Sequence, residues 1–177
     1  LQHHRANARV VALEFLVAQA DPPFPANILV LSTDAGHRVR RALVLALTEK
    51  PHPAHFPVLL RMTGDTWSDA DPSHNEADTY PIAREAVAAL AVYAPLSDEI
   101  GDHLIELATT TPDRALSQKC VQVAACYGSL AIRMKIRAMI GDRERGWLRL
   151  DALDALVFAE MIEPEVLKPF TAERIMK

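Results

Sequence analysis

The sequence predicts an all-α protein built from stacked helix pairs, and three observations support this fold class. Ala and Leu dominate the apolar residues of a 177-residue chain that is 50% hydrophobic, whereas aromatic residues are few. Apolar residues recur at three- and four-residue steps, which is the period of a helix face. A similar helix start also recurs at intervals of about 30 to 35 residues, a repeat length typical of solenoid proteins.

The helical period predicts a series of helices separated by proline and by small polar clusters. Prolines such as Pro51, Pro95 and Pro112 fall in connections or at helix starts, where proline is tolerated. The predicted helices are 6–19, 24–32, 35–49, 53–63, 78–93, 97–110, 113–127, 129–140, 143–161 and 163–175.

Charge is spread unevenly along the chain, whose formal net charge is −4. Residues 62–106 hold ten acidic residues and one basic residue, whereas residues 114–149 hold eight basic residues and two acidic ones. These blocks are solvated helix faces or two patches that select a partner. The acidic balance argues against nucleic acid as the partner, because a protein that coats nucleic acid is basic.

The two cysteines, Cys120 and Cys126, predict a reduced, cytoplasmic protein. Six residues apart in one helical run, they point to different sides of a helix and cannot be bridged within it. No apolar run approaches the ~18–20 residues that a membrane span needs. We therefore expect no membrane association.

A basic residue follows an aspartate at a fixed distance of six residues in three of the predicted helix starts. A carboxylate at a helix start can accept hydrogen bonds from free amides and interact with the helix dipole. Each basic residue then precedes a stripe of small apolar residues. The three pairs are Asp34 and Arg40, Asp78 and Arg84, and Asp113 and Lys119.

One gap in this period is longer than the others, and it coincides with the polar stretch 64–77. We interpret this stretch as a loop inserted between two paired helices. Trp67, surrounded by aspartates within the insert, is either an anchor packed on the helices or an exposed contact residue, since Trp is enriched in binding hot spots.

The repeated segments resemble the HEAT-repeat family, particularly its short bacterial form. In that family the second helix of each pair begins with an Asp-containing turn, followed by an apolar residue, an Arg and an Ala-rich stripe. The resemblance implies a right-handed α-solenoid of about five helix pairs across residues 1–177. The segments that carry it are DAGHRVRRALVLAL (34–47), DTYPIAREAVAAL (78–90), DRALSQKCVQVAA (113–125) and WLRLDALDALVFA (147–159).

The resemblance also suggests roles for individual residues. The charged residues at the helix starts would form a structural ladder, in which each basic residue reaches an aspartate of its own or the next repeat. The Arg-led helices would line the concave side of the solenoid. The ladder residues are Asp34, Arg40, Asp78, Arg84, Asp113, Lys119 and Arg149; the candidate partner-binding residues are Arg38, Arg41, Trp67, Glu85, Gln122, Asp151 and Asp154.

No motif in the sequence predicts a catalytic, metal or cofactor site. The histidines His52 and His55 have no third ligand nearby in sequence and are separated by Pro53. The Asp69-Ala-Asp71 stretch lacks the Gly and Glu that a calcium loop requires at its sixth and twelfth positions. The chain also has no phosphate-binding glycine loop and no nucleophile elbow.

We therefore expect a non-enzymatic scaffold that binds another macromolecule, most favourably a protein. One alternative is a DNA base-repair glycosylase with HEAT-like helices, in which Asp151 and Asp154 would lie near Trp147. Another is a repeat segment of a larger signalling or immune protein. The apolar terminal helices 6–19 and 163–175 also predict either such a segment or self-association through these helices.

Overall fold

The computed structural model describes residues 4–68, 80–142 and 146–159, and these ranges are all-helical, without a β-strand. The all-α prediction is therefore confirmed for this part of the chain. Short 3-10 turns at Val30–Thr33, Pro53–His55 and Ala91–Tyr93 accompany the α-helices. The helices are α1 (Ala6–Gln19), α2 (Ala26–Leu29), α3 (His37–Glu49), α4 (Phe56–Met62), α5 (Pro81–Leu90), α6 (Asp98–Thr110), α7 (Arg114–Tyr127), α8 (Leu130–Met139) and α9 (Gly146–Phe158).

The predicted helix boundaries agree closely with the observed ones where polar caps mark the ends. Ser97 caps α6 and Ser129 caps α8 through side-chain acceptors, and both lie at predicted starts. The largest difference is at 24–32, where the structure has one α-helical turn and a 3-10 turn. The predicted helix 163–175 lies outside the described residues.

Alternate helices form one layer of the molecule. Helix α1 packs against α3, α3 against α5, α5 against α7 and α7 against α9. We call these five the odd-helix layer. The intervening helices pack onto it in chain order, because α4 contacts α5, α6 contacts α7, and α8 contacts α9 and α6.

Small and branched apolar residues hold the layer together. In α5, Ala83, Ala86 and Ala89 are buried, and in α7 Ala124 and Ala125 are buried too. Alanines at helical spacing let neighbouring helix backbones approach closely, while leucines fill the remaining space. The core is therefore continuous from α1 to α9.

A glycine permits the close contact between α6 and α8. A Cβ atom at Gly101 would lie 2.4 Å from Cγ1 of Ile132, a residue that is itself fully buried. Any side chain at position 101 would therefore displace Ile132 or separate the two helices.

Basic side chains cap the C-terminal ends of two helices. The ammonium of Lys50 donates hydrogen bonds to the backbone carbonyls of Val17 (2.7 Å) and Ala20 (2.9 Å) at the end of α1. Arg149 Nε donates in the same way to the carbonyl of Ile140 at the end of α8, at 2.8 Å. Cations at these positions satisfy free carbonyls and complement the helix dipole.

Candidate functional site

The start of α3 is joined to α1 by an ion pair between Arg9 and Asp34. Arg9 Nε donates to Oδ2 of Asp34 at 2.8 Å, and Nη2 donates to Oδ1 at 2.6 Å. The amide of Gly36 donates to the same carboxylate at 2.7 Å. The Asp34 carboxylate therefore accepts a hydrogen bond from the residue that directly precedes α3.

The same geometry occurs further along the chain, between Arg40 and Asp65. Arg40 Nε donates to Oδ2 at 2.5 Å and Nη2 to Oδ1 at 3.1 Å, while Nη1 donates to the backbone carbonyl of Asp34 at 2.8 Å. In each pair the acidic residue follows the arginine by 25 residues. The repeated aspartates of the sequence did not indicate Asp65, because Asp65 lies in the insert, although its spacing from Arg40 equals that of Asp34 from Arg9.

Electrostatic compensation keeps the carboxylate of Asp34 ionised. Burial raises the pKa of Asp34, but the hydrogen bonds from Arg9 and Gly36 and the charges of Arg9 and Arg40 lower it further than burial raises it. The net pKa therefore lies below its ordinary value. This ion pair has a structural role, because both of its charged groups form hydrogen bonds that connect α1 to the start of α3.

Trp67 packs on the start of α3. Its ring stacks on His37 with a centroid distance of 3.8 Å and an interplanar angle of 5°. The side chain is partly buried against the core, and its backbone amide donates to Asp65 at 3.0 Å. Of the two interpretations of Trp67, this geometry matches the packed anchor. Residues 69–77 of the insert lie outside the described residues.

The remaining ladder residues make different contacts. Asp113 caps α7, since its Oδ1 accepts hydrogen bonds from the amides of Ala115 (2.8 Å) and Leu116 (3.2 Å). Lys119 donates to Gln122 at 2.9 Å, one turn along the same helix. Arg84 is half-buried on α5. Asp78 lies outside the described residues, and Arg149 binds the end of α8 as described above.

Burial places Arg84 and Lys119 at different helix positions from Arg40. When the four helices are aligned by their buried residues, Arg40 of α3 corresponds to Ala83 of α5, Ser117 of α7 and Arg149 of α9. Arg84 and Lys119 therefore follow the Arg40 position by one and two residues. The buried residues that align are Val39, Leu43, Val44, Ala46 and Leu47 of α3 with Ile82, Ala86, Val87, Ala89 and Leu90 of α5, with Leu116, Cys120, Val121, Val123 and Ala124 of α7, and with Leu148, Ala152, Leu153, Ala155 and Leu156 of α9.

Three of the candidate partner-binding residues bridge neighbouring helices of the odd-helix layer. Arg41 of α3 pairs with Glu85 of α5, with Nε to Oε1 at 2.8 Å. Arg38 donates to the Asn7 side chain of α1 at 3.3 Å. These exposed contacts link α1, α3 and α5.

Gln122, Asp151 and Asp154 lie together at the other end of the layer. They line a cleft of about 300 Å³ between α7 and α9. Asp151 is only 3% exposed and lies within α9, whereas Asp154 is half-buried. The structure therefore divides the candidate partner-binding residues between two regions, with Trp67 beside the first.

An exposed apolar surface covers one side of α1. Val11 is 64% exposed and Phe15 is 67% exposed, and Leu16 lies beside them. Together with Ala8, Ala12 and the edge residue Asn7, these side chains line an open, nearly wholly apolar groove of about 720 Å³. We call this surface the α1 face.

The described histidines and cysteines do not form a metal centre. His55 is fully buried and stacks on Phe24, and its Nε2 accepts a hydrogen bond from the Phe24 amide at 2.8 Å. Within the described ranges, no three His, Cys, Asp or Glu side chains converge as metal ligands. Burial raises the pKa of the Cys120 thiol to about 12, with a contribution from Asp113, so the thiol stays protonated at neutral pH.

Comparison with family models, with curated proteins and with solved structures finds no match to this chain. The resemblance to HEAT repeats thus rests on the residue pattern. None of the helices in the described ranges has both the length and the apolarity needed to cross a bilayer.

Proposed function

We propose that this protein is a non-enzymatic scaffold that binds another protein, with its helices stacked as a right-handed, HEAT-like α-solenoid. The observation that carries the proposal is the α1 face. Contiguous exposed apolar surface of this kind marks sites of protein–protein contact. The occupant we infer is an amphipathic helix of a partner protein, seated along α1.

The order of packing supports a helix as the occupant. Helices α3, α5 and α7 each lie between two other members of the odd-helix layer, whereas α1 lies at its end. The position beside α1 is therefore the one that a further helix of the same layer would occupy. Val11, Phe15 and the adjacent Ala8 and Ala12 are spaced to meet the apolar side of such a helix.

Charge along the odd-helix layer supports a protein partner over nucleic acid. The basic residue Arg41 is paired with Glu85, and the cleft between α7 and α9 holds Asp151 and Asp154 beside Lys119. A glycosylase needs a continuous basic track for phosphates. Alternating charge favours the scaffold function over this enzyme.

The proposed location is the cytoplasm. Cys120 and Cys126 are both free thiols, one of them buried, and reduced cysteines are typical of that compartment. The partner we infer would accordingly be a cytoplasmic protein.

Affinity capture with matched variants tests the proposal. Phe15→Glu places a charge in the α1 face, and Leu130→Glu makes the same change at an exposed apolar residue on α8. We expect the wild-type chain and Leu130→Glu to retain the same protein from the native source, and Phe15→Glu to lose it. Retention by Phe15→Glu would exclude the α1 face as the docking surface.

A further inference from the structure

Asp151 is a buried carboxylate that serves no helix start. The other buried aspartate in the described part of the chain, Asp113, caps α7 and accepts two backbone hydrogen bonds there. Asp151 instead lies in the interior of α9, one turn beyond Trp147. A charge buried in such a position is costly unless a cation and hydrogen bonds compensate it, so its presence requires an explanation.

The compensation that the described residues supply is incomplete. Among the described residues, the cation paired with Asp151 is Arg114, whose Nη2 lies 3.8 Å from Oδ1, beyond hydrogen-bond distance. The Arg114 side chain is 66% exposed and extends into solvent. The second carboxylate oxygen, Oδ2, accepts no hydrogen bond from the described residues.

The cleft beside Asp151 is lined by two carboxylates, two side-chain amides, one ammonium and one aromatic ring, together with two alanines. Its polar and aromatic lining residues are Gln118, Lys119, Gln122, Asp151, Asp154 and Phe158. The one ammonium among them, that of Lys119, donates to the Gln122 amide oxygen at 2.9 Å. Two carboxylates therefore share a cleft of about 300 Å³, and the buried one is Asp151.

We propose that the cleft between α7 and α9 binds a guanidinium cation, with Asp151 as the buried counter-charge. The guanidinium is carried by an arginine side chain of a partner protein or by a small free guanidine. This site is separate from the α1 face and does not depend on it.

The shape and chemistry of the cleft favour guanidinium over ammonium. A guanidinium presents a planar fork of donors that matches a carboxylate, and it is more weakly hydrated than an ammonium, so it enters a buried site at lower cost. Its flat face also stacks on aromatic rings, and Phe158 offers such a ring at the cleft.

The electrostatics of Asp151 are consistent with a missing cation. Burial raises the pKa of Asp151 and the negative charge of Asp154 adds to the rise, whereas the positive charge of Arg114 and its long polar contact at 3.8 Å oppose it. The net pKa lies above its ordinary value. A guanidinium in the cleft would stabilise the ionised form and lower that pKa again.

Nuclear magnetic resonance titration with N-acetyl-arginine amide tests this site. The readout is the side-chain amide signals of Gln118 and Gln122, which line the cleft. We expect a saturable shift in the wild type and, because a charged hydrogen-bond partner is lost, roughly tenfold weaker binding in Asp151→Asn. The control is Asp102→Asn, which removes an exposed carboxylate on α6 and should leave the titration unchanged.

Asp151→Asn keeps the shape of the residue, and circular dichroism verifies its fold; Asp154→Asn, at a half-buried position, provides a second variant. Equal binding by wild type and Asp151→Asn, or shifts that never saturate, would overturn the proposal.

A parallel titration with ethylguanidinium distinguishes the two sources of the guanidinium, a protein arginine and a free guanidine. Equal affinity indicates that a free guanidine suffices, and tighter binding of the amide indicates a protein arginine.

Arg114→Gln tests the competing arrangement, in which Arg114 itself is the permanent partner of Asp151. If the cleft binds an external guanidinium, removing Arg114 leaves the affinity for N-acetyl-arginine amide unchanged or raises it. If wild type fails to bind and Arg114→Gln destabilises the fold, the pair is internal and the proposal is wrong. Neither result alters the expected effect of Phe15→Glu at the α1 face.

Discussion

Arg40 and Asp65 form a two-point hydrogen-bonded ion pair that joins the start of α3 to the segment following α4. The Asp65 side chain is only 9% exposed, so water screens this pair weakly. Arg9 of α1 and Asp34, just before α3, form the same arrangement. Two ion pairs of the same kind therefore join α1 to α3 and α3 to the segment after α4.

Removing the Asp65 charge should destabilise the fold. We expect Asp65→Asn to lower the free energy of unfolding by about 1–3 kcal/mol, because Arg40 loses a part-buried charged acceptor. Asp102→Asn removes the acceptor of Lys135 from a pair whose side chains are about half exposed. That control should cost at most about 0.5 kcal/mol. Denaturant unfolding measures both, and equal effects would contradict the structural role of Asp65.

The Arg9–Asp34 ion pair should weaken in acid. The pKa of Asp34 is lower in the folded chain than its ordinary value of 3.8, so its stabilising contribution is fully present above that value and is lost as the pH falls through the lowered pKa. We expect the stability difference between wild type and Asp34→Asn to be constant near neutral pH and to shrink below about pH 4. A difference that grows in acid would contradict this account.

His55 should make the fold sensitive to pH in a higher window. Burial, and to a lesser extent the charge of His52, lowers the pKa of His55 below its ordinary value of 6.5. The stability that neutral His55 contributes is therefore fully present above pH 6.5, and it is lost as the pH falls below that value. The urea midpoint of His55→Gln, which retains an acceptor for Phe24 without titrating, should change less over this window. Parallel curves for the two proteins would show that His55 does not contribute.

Adding a methyl group at Gly101 should overpack the contact between α6 and α8. We expect Gly101→Ala to destabilise the fold by about 1–3 kcal/mol, because the new Cβ would overlap the side chain of Ile132. Gly146→Ala is the matched control, since a Cβ there meets no heavy atom within 4 Å. Thermal melts compare the two, and a neutral Gly101→Ala would mean that the two helices separate easily.

Self-association through the terminal helices can be measured directly. If the α1 face docks a second copy of the chain, the mass from light scattering should rise with concentration, and Phe15→Glu should abolish the rise. A concentration-independent monomer mass leaves a different protein as the occupant. This measurement separates self-association from the scaffold function that we favour.

Much of the fold could be predicted from the sequence, because helix formation depends on local patterns. The stripe through Leu43 and Leu47 and the cap at Asp113 both follow from residues within a few positions. The alignment of the helices by their buried residues was harder to predict. The apolar stripe of α5 is broad enough that either Ala83 or Arg84 could be the position equivalent to Arg40.

Contacts between distant segments could not be predicted in the same way. The partner of Arg40 depends on the path of the chain after α4, and the burial of Asp151 depends on how α9 meets α7. Periodicity carries no information on either. The α1 face was predicted in part, since the apolar residues of 6–19 surround most of the helix, but only the structure shows that Val11, Phe15 and Leu16 are the exposed ones.

The most direct test of the scaffold function is the affinity of a captured partner for the wild-type chain and its two matched variants. We predict that Phe15→Glu weakens binding by roughly tenfold or more, as expected when an apolar anchor is replaced by a charge, and that Leu130→Glu leaves it unchanged. Equal affinities for Phe15→Glu and wild type would contradict the proposal that α1 docks the partner.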